Sequence, residues 1–543
     1  VSGLIPLLSI NGNRTDSEAI RYAKNKVKEN PHEAGSHFYL GCLLYHLAHD
    51  VNGAITEFEK CLVCDPHFLE GYKSLAYCLL EVKKDKEAEK TLKKAMKIIP
   101  DDSILLFNYA ELLKRTQRYD EARYFFKKAF KFEKESKIKK KIQKSIAGLD
   151  DILNQAESSP QWAMAKKDCC RSSSVKIDKA NKMIGISHQI SSPFTQPINQ
   201  TLLPDIPSPI AAGDMIVFPD SSLTSFKAVN AATIDETAWK SVLLADRLAY
   251  ASTPVYVPPY LFFSIGNSLR RLDLRSPQPC LEPLAANFKW HTVPYCAPAA
   301  FLGNVIFTFN EGIYCYDAEE ERGNFIPLNI SEPGDVLRSP VICDGELILL
   351  SKKGNIFILD LLAGSVIKQD KIQIKGVYSA PCVLNDNVYF EIFSEENHKR
   401  NAAAYCAKDG SLIIKEFENE VCSNEDLHFN FSPLVFQNNV LVASDIYPIF
   451  YHVRRIGDTI EIVPLELDIQ VGNQKIVRVS HEFSTVIGSY IISKCEGGFF
   501  YVNLDNPSHN RIENLMSEMA AQPIVDRRKI YILCQGGIEI FQF

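Results

Sequence analysis

No stretch of this 543-residue chain reaches the roughly 18–20 consecutive apolar residues that a membrane helix needs. A membrane-spanning helix is therefore not expected. The opening "VSGLIPLLSI" has a short apolar stretch but neither a basic n-region nor a clear cleavage site, so it does not read as a signal peptide. The expected compartment is the cytoplasm, or an extracytoplasmic one if a signal has been removed. The chain also lacks the short signatures of common chemistries: no phosphate-binding glycine loop, no GxGxxG and no GxSxG. Its 12 histidines form neither HxH nor HExxH. "CLVC" (Cys61–Cys64) has metal-type spacing, but no second pair follows and the stretch reads as core. No catalytic, cofactor-binding or metal-binding residue is assigned, and an enzyme is not expected. A formal charge of −6 implies no strong attraction to nucleic acid or anionic lipid.

What is present is long enough for several domains. Cysteines number 15, an odd set scattered through apolar stretches, which favours free thiols in a reducing compartment. Charge is uneven: basic residues outnumber acidic ones over the first 150 residues, and the reverse holds beyond. The two segments could attract each other or choose different partners.

The first segment repeats. Ala54, Ala88 and Ala122 recur at one period; Phe58, Leu92 and Phe126 follow each by four residues, and Cys61, Ala95 and Ala129 by three more. Pro66 and Pro100 close the first two units, and "YKSLAYCLLEVKKDKEAEKTLKKAMKIIP" shows a whole unit. Small residues let two antiparallel helices approach, the larger side chain fills the groove, and proline ends the second helix. Upstream, Ala19 and Pro31 mark the second helix of a further unit, whose first helix is missing, degenerate or supplied by residues 1–12. Downstream, "SKIKKKIQKSIAGLDDILNQ" reads as a capping helix with Ile138, Ile142, Ile146, Leu149 and Ile152 on one face. This pattern resembles the tetratricopeptide repeat, an α-solenoid, here three full units, half of another and a cap over residues 1–156.

The resemblance implies a concave groove lined by the first helix of each unit. Its positions fall on Phe38, Cys42 and Tyr45, then Lys73, Tyr77 and Leu80, then Phe107, Glu111 and Lys114. The family's best-known groove chemistry is a Lys/Asn/Arg clamp for a chaperone's terminal carboxylate. Phe38, Cys42, Ser74, Ile104 and Asn108 stand at the clamp positions, and only Asn108 suits. The aromatic lining suits a protein partner instead, an apolar helix or extended peptide; equally, it could pack against this same chain. Lys137, Lys139, Lys140, Lys141 and Lys144 form the densest basic cluster, either a patch for an anionic partner or the solvated face of the capping helix.

Residues 157–182 are Ser- and Lys-rich and read as a linker. From 183 to 543 a second repeat runs: Ser, Ala or Thr followed by proline at Pro209, Pro254, Pro298, Pro340, Pro381, Pro433 and Pro523, with one further copy in which Thr485 stands where proline is expected. After each step come short alternating strands and glycine turns, clearest in "SPVICDGELILLSKKGNIFILDLLAGSVIKQD", where Asp344-Gly345 signals a hairpin. Four short strands per copy is the rhythm of a propeller blade. The form resembles the quinoprotein-dehydrogenase-like (PQQ-like) β-propeller. Eight blades are expected, seven being the alternative because the copies at 381–432 and 433–484 are long. The last copy supplies three strands only, ending in "GGIEIFQF", so the orphan strand in "NKMIGISHQI" is expected to pair beside Phe541–Phe543 and close the ring.

That superfamily includes dehydrogenases and also non-catalytic members such as the scaffold lipoprotein of outer-membrane assembly. Its quinone often sits near a vicinal disulfide, stacked on tryptophan. Here the vicinal pair Cys169-Cys170 lies in the linker, and Trp162, Trp239 and Trp290 fall outside the inner-strand signature. No cofactor and no small-molecule substrate are expected. The sequence favours a non-enzymatic scaffold or adaptor, a subunit of a larger complex. Alternatives are an enzyme or ligand sensor using the propeller channel and, more weakly, an envelope assembly scaffold.

Overall fold

In the computed structural model of the chain, the described residues are 16–155 except 117, the strands Ser174–Val175 and Ile186–Ile190, and from 207 onward the blades with most of their turns. The sequence readings at residues 1–12, Cys169-Cys170, Trp162 and Trp290 lie outside them. The chain divides into two compact units, Val1–Gln155 and Ala156–Phe543. Among the described residues no helix is long and apolar enough to cross a membrane.

Among the described residues the first unit holds eight helices: α1 Asp16–Glu29, α2 Ala34–His46, α3 Val51–Cys64, α4 Leu69–Glu81, α5 Asp85–Ile98, α6 Ser103–Arg115, α7 Tyr119–Phe132 and α8 Ser136–Gln155. Pro31, Pro66 and Pro100 each fall two residues beyond a helix end, where a missing N–H costs nothing. Asp50 and Asp102 cap α3 and α6, their carboxylates accepting from first-turn N–H groups. The repeating residues do what their spacing predicts. Ala54, Ala88, Ala122, Ala95 and Ala129 are fully buried, as are Phe58, Leu92 and Phe126. A side chain such as Phe58 contributes about 1.5–3 kcal/mol by this burial. Its ring lies so close to Gly41 in α2 that a Cβ there would stand 2.6 Å from it, so α2 and α3 meet at a distance only glycine permits. On α8, Ile142 and Leu149 are buried, Ile138 and Ile146 half-buried; the side chain of Ile152 lies outside the described residues.

The second unit is a β-propeller of eight blades. Each begins with a three-residue inner strand: Ile210–Ala212, Val255–Val257, Ala299–Phe301, Val341–Cys343, Cys382–Leu384, Leu434–Phe436, Thr485–Ile487 and Ile524–Asp526. Three further strands follow antiparallel in blades 1 to 7 and two in blade 8. In blade 4 these are Glu346–Leu350, Asn355–Asp360 and Ser365–Lys371, and Gly345 takes the left-handed φ of 80° in the turn between the inner strand and Glu346–Leu350. The long copies are two blades, not one irregular one: blade 5 has long strands (Leu412–Val421 is its outermost), and a small hairpin, Gln470–Val471 with Gln474–Lys475, precedes blade 7.

Blade 8 ends in Lys529–Cys534 and Gly537–Gln542, and Ile186–Ile190 pairs antiparallel on the outer side of the latter, with Ile186 opposite Phe541 and Ile190 opposite Ile538. Blades 7, 8 and 1 share one core, in which Ala211, Ile216 and Val229 pack with Ile492, Phe499, Ile532 and Ile540. Lys529 Nζ and Tyr531 OH of blade 8 both donate to Ala231 O of blade 1, at 2.9 and 3.3 Å.

Two details depart from the sequence reading. Ser174–Val175, within the expected linker, is a strand: it pairs parallel with Thr485–Ile487, Ser174 opposite Val486 and Val175 opposite Ile487. And the residue at blade 7's proline position is Ser484, not Thr485. In every other blade the proline immediately precedes the inner strand, and Thr485 pairs with Ile492 as Val341 pairs with Ile348. Spacing alone misplaced the step by one residue.

The interior also holds charge. Arg400 and Glu391, opposite edges of one hairpin of blade 5, are each 1 % exposed in their side chains. The guanidinium donates to Glu391 Oε2, its Nη2 donates to Ala443 O of blade 6 at 3.0 Å, and it lies 5.6 Å from the Phe417 ring centroid. Glu391 N in turn donates to Ser379 Oγ. Removing one ion strands the other in a dry interior. Arg400→Ala is therefore expected to destabilise the propeller by about 3–5 kcal/mol, and Arg400→Met with Glu391→Leu to recover most of it; denaturant unfolding of both variants measures the difference.

Candidate interaction surfaces

Nothing in the helix periodicity says which neighbour each groove-position residue meets, and the structure gives the answer residue by residue. Phe38 is buried, its ring 5.7 Å from that of Phe58 and 5.1 Å from that of Phe68. Cys42 is buried too. Tyr45 is half-buried on α2 and reaches α4: its hydroxyl donates to Glu81 Oε2 at 2.9 Å and its ring meets Tyr77 edge-on at 5.9 Å. Burial and these two partners push the Tyr45 phenol well up from its ordinary value. Lys73 of α4 pairs with Asp102 at the start of α6 at 2.6 Å, and with Glu70 at 3.8 Å. Leu80 is half-buried, and its carbonyl accepts from Arg115 of α6 at 3.0 Å.

The third set turns toward the cap. Phe107 is buried with Lys141 Nζ 5.1 Å from its ring centroid, Glu111 accepts from Ser145 Oγ at 2.8 Å, and a Cβ on Gly148 would lie 3.9 Å from Lys114 Nζ. Seven of the nine thus link one first helix to the next, Tyr45 and Tyr77 from α2 to α4, Lys73 and Leu80 from α4 toward α6, and Phe107, Glu111 and Lys114 from α6 to α8, whereas Phe38 and Cys42 are core. At the clamp positions, Ser74 and Asn108 are buried, and Ser74 Oγ and Asn108 Nδ2 have no hydrogen-bond partner among the described residues. In the lysine cluster, Lys137, Lys140, Lys141 and Lys144 are exposed and Lys139 half-buried. Two of them cover aromatics, Lys141 over Phe107 and Lys139 over Phe130 at 5.4 Å. Those aromatics belong to α6 and α7, so the helix's own sequence could not show them.

Polar junctions that sequence reasoning missed hold the second helices. His37 Nδ1 lies 2.7 Å from Glu57 Oε2, and its Nε2 lies 3.0 Å from Pro31 O. Glu89 of α5 accepts from Tyr109 OH of α6 at 3.0 Å and from Arg118, just before α7, at 2.7 Å, with Lys93 at 3.3 Å. A charged residue on the wall of the repeat's apolar face was the available signal. Of "CLVC" only Cys61 is core: it is fully buried, whereas Cys64 is half-buried and Val63 exposed, and burial first, then Cys64 and Asp65, push the Cys61 thiol up to about 12, far from the thiolate a metal needs. Among the described residues no three of His, Cys, Asp and Glu gather at metal-binding distance.

On the propeller, Trp239 sits in the outermost strand of blade 1, Trp239–Lys240. Exposed apolar side chains stand on outer strands: Val366 and Ile367 in blade 4, Val463 in blade 6. Tyr260 of blade 2 is flanked by Arg271 and Arg275, 4.7 and 5.3 Å from its ring centroid, and Arg271 reaches Glu321 of blade 3 at 2.9 Å.

No family model matches the chain, and no curated protein matches it. Among the solved structures similar to this chain are two that share its fold over about two thirds of its length. One is described as the crystal structure of BamB from Moraxella catarrhalis: 13% identity, 66% of this chain and 98% of that one covered, TM-score 0.44. The other is a computationally designed protein, Ika8: 9% identity, 62% and 95% covered, TM-score 0.44. The blade count rests on the strand pairing itself.

Glu89 supplies a pH test. Burial raises its pKa, but Arg118, Lys93 and the Tyr109 hydroxyl outweigh it and hold the carboxyl below its ordinary value. A carboxyl depressed on folding stabilises fully above its unfolded value of about 4.3 and loses that contribution as pH falls through the folded value. Glu89→Gln is expected to cost about 1–3 kcal/mol at neutral pH. It should also flatten the acid limb of a thermal-unfolding series of the full chain.

Proposed function

We propose that this protein is a non-enzymatic adaptor, a subunit of a larger assembly, whose N-terminal unit is a tetratricopeptide-type solenoid and whose propeller offers further binding faces. The observation that carries the reading is the row of first helices. Tyr45–Tyr77, Lys73–Asp102 and Glu111–Ser145 join α2, α4, α6 and α8 into one continuous wall. Stacked helix pairs of this kind present an extended surface to a peptide or helix rather than a pocket for small-molecule chemistry. Half-buried Tyr45, Tyr77 and Leu80 give that wall an apolar centre, and Lys73, Glu111 and Lys114 give it polar flanks. A partner with an amphipathic helix or extended segment fits that mixture. The lysines of α8 extend it with positive charge and would favour acidic residues at one end of the partner.

The test is affinity isolation from native extract with the full chain and with a Tyr45→Glu/Tyr77→Glu variant, circular dichroism confirming equal helicity. A stoichiometric partner, weakened at least about tenfold by the variant, is expected, since aromatic anchors at an interface centre carry most of the energy. Recovery of no stoichiometric partner, or of one the variant binds equally well, overturns the reading.

A further inference from the structure

Seven of the eight inner strands are preceded directly by proline, and the eighth is preceded by Ser484. That eighth strand, Thr485–Ile487, is also the one on which an additional strand lies, Ser174–Val175 in parallel register. The coincidence has a physical cause. In blade 7, Ile487 and Tyr490 flank the two-residue turn Gly488-Ser489 and pair with each other, as Thr485 does with Ile492. Backbone groups alternate along a strand, so Ser484 and Val486 direct theirs to the opposite, inner edge. The side chain of Gln522 reaches that edge, donating to Ser484 O at 3.0 Å.

The same register holds in the other blades, so each proline sits at an inner-edge position. There it has no N–H to offer, and its ring obstructs an approaching strand. Proline on an exposed edge is a standard means of preventing strand addition. Blade 7 lacks that guard, and the register puts Ser174 opposite Val486, whose N–H and C=O face the added strand.

We propose that the inner edge of Thr485–Ile487 is a strand-accepting site for an extended peptide in parallel orientation, selected by the absence of proline at Ser484, and that Ser174–Val175 is its intramolecular occupant. Only two residue pairs hold that occupant, so its advantage over a competing peptide is tethering rather than contact. Main-chain hydrogen bonds supply the affinity, as in other cases of strand addition, and the covalent connection keeps the edge covered until an extended segment displaces it. This deepens the adaptor reading for the propeller and is independent of the helical wall.

The experiment measures binding of a fluorescent peptide, RSSSVKID (the sequence of residues 171–178), to the full chain by anisotropy. Val175→Pro removes an N–H that the parallel ladder needs and should vacate the edge. That variant is expected to bind the peptide at least about tenfold more tightly than the wild type, whose edge is occupied. Adding Ser484→Pro should return binding to background. This change installs the residue that the sister blades carry, so the strand backbone accommodates it, and unchanged thermal unfolding verifies this. A Val175→Pro chain that binds no better than wild type overturns the proposal, as does a double variant that still binds. Hydrogen exchange gives a second reading that needs no variant: the Val175 amide should be protected in the wild-type chain, and exchange at the rate of an unstructured peptide also overturns it. Failure here with the Tyr45/Tyr77 result intact would remove the strand site and leave the adaptor reading standing.

Discussion

A ring of blades depends on how its last sheet is completed, and here the ladder between Ile186–Ile190 and Gly537–Gln542 does that work. Three strands from the C-terminal copy would leave a row of unpaired backbone groups beside Ile538, Ile540 and Phe541, the arrangement that recruits other chains. An early segment takes that place. Behind it, the core shared by blades 7, 8 and 1 is apolar, and Lys529 and Tyr531 fix blade 8 on the Ala231 carbonyl of blade 1. Shared apolar cores also join blades 1 and 2, 2 and 3, 4 and 5, 5 and 6, and 6 and 7, so these blades cover the apolar faces of their neighbours. The buried Arg400–Glu391 pair fits the same logic: the pair itself lies within blade 5, but Arg400 also donates to Ala443 O, a hydrogen bond that forms only when blade 6 is in place.

The helical unit solves the same problem without closing. Its alanines and Cys61 let paired helices approach, Gly41 makes room for Phe58, and the wall of first helices is held by polar and aromatic pairs rather than by a second apolar layer. At its end α8 seats Ile142 and Leu149 inward and turns lysines outward, which stops further stacking.

Much of this was legible in the sequence because repeats impose periods. Ala54, Ala88 and Ala122 marked the second helices, and the proline steps counted eight blades where length alone left seven open. What spacing could not supply was direction. The groove-position residues are shared between neighbouring helices, and whether Phe107 faces a ligand or Lys141 depends on how α8 crosses α6, which no local pattern encodes. Position Thr485 was misassigned by one residue because "STVIG" offers no proline to anchor the count; only the pairing of Thr485 with Ile492 puts Ser484 there. Glu391 did leave a trace, a carboxylate inside the otherwise apolar run "VYFEIF" of a strand buried on both faces. Its partner Arg400 lies across a hairpin, which one strand's alternation does not reveal.

The ladder that completes blade 8 joins residues separated by almost the whole propeller, Ile186 to Phe541. Such a contact has a very high sequence separation, so its loop-closure entropy is met late and the topology is slow to fold. During synthesis the early strand emerges long before its mate exists. Until residues 537–542 have emerged from the ribosome, the nascent chain carries an unmatched early strand and a growing series of blades with no closed ring. Its vulnerable period is therefore set by translation as much as by stability, and that interval is when a folding helper has something to hold.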